Sequence, residues 1–190
     1  SLAAALDNYN IPASVYHQLV KDVNANLPTL HRYLRLRQRM LGVEKLGYED
    51  LYAPTVKAVE MSFTPEEAMD LSLKSSAPLG RDYVSVLGKA YSERWVDWMP
   101  SPGKRSGAYS NGSAYDVHPY QLLNFNGQYD DVSTLVHESG HSMHSYLSNK
   151  NQRFANSDYS IFVAEVASTL NEDLLFHHMM ERAKDDQTRL

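Results

Sequence analysis

Val136-His137-Glu138-Ser139-Gly140-His141 decides how the rest of the chain is read. The stretch fits H-E-x-x-H, and the apolar residues around it, Val132, Leu135, Val136, Met143 and Leu147, recur at helical spacing. A helix is therefore expected from Asp130 or Asp131 to about Leu147. Residues i and i+4 lie one turn apart on the same helix face, so both imidazoles can reach one tetrahedral metal ion. Glu138 stands about 100° round the helix from His137. It flanks the metal face without joining it, where a carboxylate can hold a metal-bound water.

Two imidazoles leave a zinc site one protein ligand short. Downstream, a last helix is expected over 161–184, with Phe162, Val163, Val166, Leu170, Leu174 and Leu175 apolar. It carries Glu165, and a turn between the helices lets the second pack back on the first. His137, His141 and Glu165 then form a His-His-Glu set that suits Zn²⁺ with one position open. Asp158 competes for the third place, but it lies in a polar loop (149–158), and a helix fixes a carboxylate better. A chance H-E-x-x-H in a chain of this composition occurs on the order of one or two times in a hundred. The bland alternative is a pair of surface histidines and an ordinary exposed carboxylate. Among other residues, His144 is either a support for the ligands or a packing residue. Glu172 either orients a ligand imidazole or makes a surface salt bridge. His118 can approach a substrate, whereas His177 and His178 are not expected to be ligands.

Upstream of the metal helix the composition changes. Residues 100–127 hold Pro100, Pro102, Gly103, Gly107, Gly112, Pro119 and Gly127, and short strands are expected at 107–116 and 120–126. The second precedes the metal helix, so its edge is expected to pair with an extended peptide backbone. Residues 1–99 read as helical. One helix is expected over 11–26 and another from Pro28 to Leu41 with Gly42 as its C-cap. Residues 46–59 read as irregular. Thr64-Pro65-Glu66-Glu67 has the form of a capping box with proline in the first turn. Pro78 separates that helix from one expected over 79–98, with Tyr83, Leu87, Tyr91 and Trp95 as a core stripe. Arg32, Arg35, Arg37 and Arg39 read as a solvated face with carboxylate partners rather than a nucleic-acid patch.

Composition bounds the function classes. The 190 residues are 43% hydrophobic and 22% charged, with a net charge of −5. That is globular, and it argues against a binder that relies on a broad basic surface, so no nucleic-acid partner is expected. No apolar run approaches the roughly 20 residues that span a bilayer, so no membrane partner is expected. Residues 1–10 lack the basic start of a signal peptide. There is no cysteine, which excludes disulfides, thiolate metal sites and cysteine nucleophiles within these residues. A cytoplasmic location is expected.

Several stretches together resemble the oligoendopeptidase F family of metallopeptidases, relatives of thimet oligopeptidase and neurolysin. They are Gly103-Lys104-Arg105-Ser106-Gly107-Ala108-Tyr109, Leu122-Leu123-Asn124-Phe125, Asp131-Val132-Ser133-Thr134-Leu135, and the run from His137 to His144. Tyr33-Leu34-Arg35-Leu36-Arg37, Asp50-Leu51-Tyr52-Ala53-Pro54 and Phe63-Thr64-Pro65-Glu66-Glu67-Ala68 extend the likeness over nearly the whole chain. The resemblance implies a mainly α, zincin-like catalytic core with a small β-sheet, and zinc held by His137, His141 and Glu165. Glu165-x-x-Ser168 matches the third ligand and the serine that follows it, and Glu138 takes the place of the general base. The implied domain is partial: helical over 1–99, a strand-rich substrate edge over 100–127, and zinc-binding helices over 128–190. The implied activity is cleavage of internal bonds in short unfolded peptides. The resemblance also implies a longer enzyme with a further Tyr- and His-containing segment downstream of the third ligand, so the remainder of the enzyme or a second copy is an expected partner. The alternatives are a zinc-binding piece that acts as a subunit or peptide-binding module, and another gluzincin such as an aminopeptidase.

Overall fold

The computed structural model describes residues 1–55 and 61–183. The chain divides into two units, Ser1–Val59 and Glu60–Arg189. Among the described residues, no helix is long and apolar enough to cross a membrane.

The first unit holds α1 (Leu2–Asp7) and α2 (Ala13–Leu41). The two helices expected over 11–41 are one, with Pro28 inside it. A proline removes one backbone donor and crowds one carbonyl, and long helix-forming runs on both sides hold the helix across it. Gly42 ends α2 as expected, at φ +68° with its N–H turned back to Arg39 and Gln38. Arg37 departs from the solvated reading. It is buried, and its guanidinium donates to the carbonyls of Asp50 and Ala53 rather than to carboxylates. Within the irregular stretch, a 3₁₀ turn forms at Glu49–Leu51, while residues 56–59 lie outside the described ones.

The second unit is built round one core. Thr64 caps α3 (Pro65–Ser75) through the expected box: its hydroxyl accepts from Glu67 N–H, and the Glu67 carboxylate accepts from Thr64 N–H. The next helix, α4 (Arg81–Ser92), stops short of the expected Trp98. Arg94 takes a left-handed φ of +64°, and Trp95 N–H closes back on the Ala90 carbonyl. Trp95 therefore leaves the helix, and Val96–Asp97 becomes a strand, β1. The expected strands shrink to β2 (Tyr109–Asn111) and β3 (Tyr120–Leu122). An Asn111 side-chain bond to Ser113 N–H turns the chain after β2. The sheet order is β1-β3-β2, with β1 parallel and β2 antiparallel to β3.

Leu71 from α3, Leu87 and Tyr91 from α4, Leu123 and Phe125 after β3, and Val132, Leu135, Val136 and Met143 from α5 (Tyr129–Asn151) form the core. The Asp131 carboxylate pins the start of α5 by accepting from Asn126 and Gln128 N–H. Leu175 enters the core from α6 (Ile161–Arg182), the last expected helix; Lys184 is outside the described residues. A 3₁₀ turn at Phe154–Asn156 reverses the chain between α5 and α6. One face of α5 is thereby sealed into the core while the His137–His141 face meets α6.

Candidate metal centre

His137 and His141 project from successive turns of α5, and Glu165 from α6 comes between them. His137 Nε2 and His141 Nε2 are 3.2 Å apart, and Glu165 Oε2 is 3.4 Å from each. Tetrahedral coordination with 2.0–2.1 Å bonds places ligand atoms about 3.3–3.4 Å apart. Two imidazoles and a carboxylate on such a triangle fit a zinc ion. Asp158, the competing third ligand, stays in its loop and accepts from Tyr159 N–H. Burial lowers the affinity of His141 for a proton, partly offset by the Glu165 charge, and so favours the neutral ring a metal needs.

Close approach of the two helices makes the triangle possible. A methyl group on Gly140 would lie 2.6 Å from the Ala167 carbonyl oxygen and 2.7 Å from Ser168 Cα. Only a residue without Cβ lets α6 run this near α5. Gly140 is marked in the sequence only as an isolated glycine inside a helix, which is itself a signal of tight packing. Other groups on α6 contact these side chains. Ser168 Oγ donates to Glu165 Oε2 at 2.8 Å, and the Glu172 carboxylate meets His137 Nδ1. Asn171, one residue from Glu172, is buried; its amide donates to the Tyr83 hydroxyl at 2.9 Å and to the Val136 carbonyl at 3.4 Å.

Glu138 stands beside this triangle, only 8% exposed. Burial pushes its carboxyl above the ordinary carboxylate range; His137 pulls it down, Glu165 pushes it up, and the Ser110 backbone N–H pulls it down again. A carboxylate raised in this way is a better proton acceptor at neutral pH. His137 and Glu138 share a cavity of about 370 Å³ with Ala108, Ser133 and Thr134.

Behind the metal face runs a buried polar chain that sequence reading did not foresee. Ser72 Oγ meets Tyr91 Oη at 2.6 Å, and Tyr91 Oη meets Ser139 Oγ at 2.8 Å. Gln121 Nε2 donates to Ser142 Oγ at 2.9 Å, and Ser142 Oγ meets Ser110 Oγ at 2.7 Å. Ser139 and Ser142 thus tie α5 to α3, α4 and the sheet. Burial pushes the Tyr91 phenol far above its ordinary value. The stripe of Tyr83, Leu87, Tyr91 and Trp95 read as core packs in or against the core, and the Tyr91 hydroxyl in addition bridges Ser72 and Ser139.

The remaining histidines stand elsewhere. His144 stacks on Tyr159 at 3.8 Å, which is the packing role. His118 stacks on Trp95 at 4.7 Å and also packs against Tyr120. His177 pairs with Asp173 at 3.6 Å, and His178 lies by Arg182.

Helices that present H-E-x-x-H and a third carboxylate, above a core that also seats a small sheet, define a mainly helical protein with a His-His-Glu group that could hold a metal ion. Comparison with known sequences gives the class its family. The chain belongs to peptidase family M3, whose family model matches residues 1–190. It is 49% identical to oligopeptidase PepF of Bacillus subtilis over 98% of its length, and 46% identical to group B oligopeptidase PepB of Streptococcus agalactiae over 98%. It spans 28% and 31% of those two relatives. A crystal structure from Chlamydophila abortus matches 98% of the chain at a TM-score of 0.85 and 44% identity, with 31% of that structure covered. Oligoendopeptidase-F from Enterococcus faecium matches 98% at 0.57 and 34%, with 25% covered.

Proposed function

We propose that the chain carries the catalytic centre of a zinc-dependent oligoendopeptidase acting on internal bonds of short unfolded peptides. The observation that carries this reading is the ligand triangle of His137, His141 and Glu165 with Glu138 beside it. The names of the relatives, oligopeptidase and oligoendopeptidase, support the substrate class. A bound zinc ion supplies Lewis acidity toward a water and toward the scissile carbonyl. Glu138 takes a proton from the attacking water as the new C–O bond forms, then passes it to the departing amine as the C–N bond breaks. Its low exposure and its place beside the triangle suit both transfers.

The substrate edge moves from where the sequence put it. β3 is the middle strand, paired on both sides, so an extended peptide does not add to 120–126. β2 is an outer strand among the described residues, and the Ser110 backbone N–H approaches Glu138. A peptide lying along β2 passes the general base, and backbone pairing gives broad side-chain tolerance. In this proposal residues 100–127 carry the substrate edge and the helices α5 and α6 carry the ligands, while the expected helical part over 1–99 spans both units and includes β1. The remainder of a longer enzyme or a second copy completes the channel in this proposal. A cytoplasmic location belongs to the same proposal, and cell fractionation checks it.

The test is turnover of an internally quenched peptide against an amino-acid amide, by the chain and by its Glu138→Gln variant. Cleavage of the peptide but not the amide, with zinc retained and turnover lost in the variant, is expected. Amide cleavage points to an aminopeptidase. Zinc binding without turnover, even when the longer enzyme's segments are added, leaves a zinc-structured binding module.

A further inference from the structure

The triangle requires His137 to offer Nε2, and its other ring nitrogen has a partner of its own. We propose, resting on the metal-centre reading above, that Glu172 is a positioning residue that holds His137 in the tautomer with the proton on Nδ1 and the Nε2 lone pair facing Glu165 and His141. A neutral imidazole carries one N–H, and an ionised carboxylate can only accept. The contact between the Glu172 carboxylate and His137 Nδ1 is therefore a hydrogen bond only if Nδ1 carries the proton. The opposite tautomer would set a ring lone pair against carboxylate oxygens, and would turn an N–H toward the place the ion takes.

Helical spacing shows why Glu172 can do this. Glu165, Ser168 and Glu172 follow one another at i, i+3 and i+7, so all three share the α6 face that meets α5. Glu165 supplies a ligand atom, Ser168 donates to that carboxylate, and Glu172 reaches past them to the first histidine. Buried Asn171 sets the register by bonding the carbonyl of Val136, the residue just before His137. The half-exposed Glu172 would be an ordinary surface acid at any other rotation of α6.

The experiment measures zinc affinity of the 190-residue chain by competition with a chelator, for Glu172→Ala, Glu172→Gln and His141→Ala, with the ring nitrogens of ¹⁵N-histidine-labelled protein followed by NMR. Removing a carboxylate behind a ligand histidine typically weakens metal binding about 10- to 100-fold, and that loss is expected for Glu172→Ala. Glu172→Gln keeps an acceptor oxygen and is expected to lose less. The unsubstituted zinc-loaded chain is expected to show the Nδ1–H form of His137, a readout that stands even if a variant fails to fold. Zinc binding within twofold of normal in a folded Glu172→Ala, or an Nε2–H form of His137, overturns the proposal. If Glu172→Ala keeps zinc and His141→Ala loses it, the positioning role fails and the metal centre stands. If His141→Ala keeps zinc as well, the metal centre itself fails.

Discussion

Replacing Gly140 with alanine drives a methyl group into the backbone of α6. The added carbon would meet the Ala167 carbonyl oxygen at 2.6 Å and Ser168 Cα at 2.7 Å. Unstrained carbon contacts begin near 3.5 Å, so α6 must retreat by about 0.8 Å. Both obstacles are backbone atoms and cannot swing aside as a flexible side chain does. Glu165 rides on the same turn, and a metal site tolerates about ±0.2 Å in its ligand distances. Zinc affinity should therefore fall at least about tenfold, equivalent to 1.4 kcal/mol. Overpacking itself costs about 1–3 kcal/mol, which lowers the melting temperature by roughly 2–4 °C per kcal/mol in a chain this long. Gly88 on α4 is the control. A methyl there meets only Leu73 Cδ2 at 3.9 Å, so Gly88→Ala should leave zinc unchanged and stabilise the fold by about 0.4–1 kcal/mol. Chelator competition and calorimetric melting read both variants. Unchanged zinc affinity and melting in Gly140→Ala would refute the claim that close helix approach builds the centre.

Two further outcomes follow from the packing behind the site. Tyr91→Phe leaves Ser72 and Ser139 without their shared partner in a buried place, at a cost of about 1–3 kcal/mol; a urea midpoint equal to that of the unsubstituted chain would refute the bridging role. Burial lowers the His144 pKa from its ordinary 6.5, so the folded state holds this proton less tightly than the unfolded one. Its contribution makes stability rise with pH up to about 6.5 and fall as the solution is acidified below that. In His144→Phe, which keeps a ring against Tyr159, the fall between pH 6.5 and 5 should be shallower, and an identical pH profile of unfolding would contradict the assignment.

The site was more legible in the sequence than the framework that holds it. H-E-x-x-H needs only helical periodicity to place two imidazoles on one face, and the apolar residues of α5 supply that period. Thr64 and Gly42 likewise act within a few residues of themselves, so both ends they define were readable. What was not readable depends on groups distant in the chain or on unmarked backbone choices. Arg94 turns left-handed without being glycine, and so α4 stops early and β1 appears where helix was expected. Pro28 is carried inside α2 because its neighbours on both sides hold the helix. β3 became the central strand only when β1 formed, which left β1 and β2 as the outer strands among the described residues. Ser72, Tyr91, Ser139, Gln121, Ser142 and Ser110 are unremarkable in sequence, and their chain exists only once five elements have packed.

The most direct test of the account is the zinc content of the purified chain beside that of two neighbouring variants. Elemental analysis should find close to one zinc per chain, the same in Glu138→Gln, and none in His141→Ala. Full zinc retention by a folded His141→Ala variant, or loss of zinc from Glu138→Gln, would contradict the division of this helix into metal ligands and a general base.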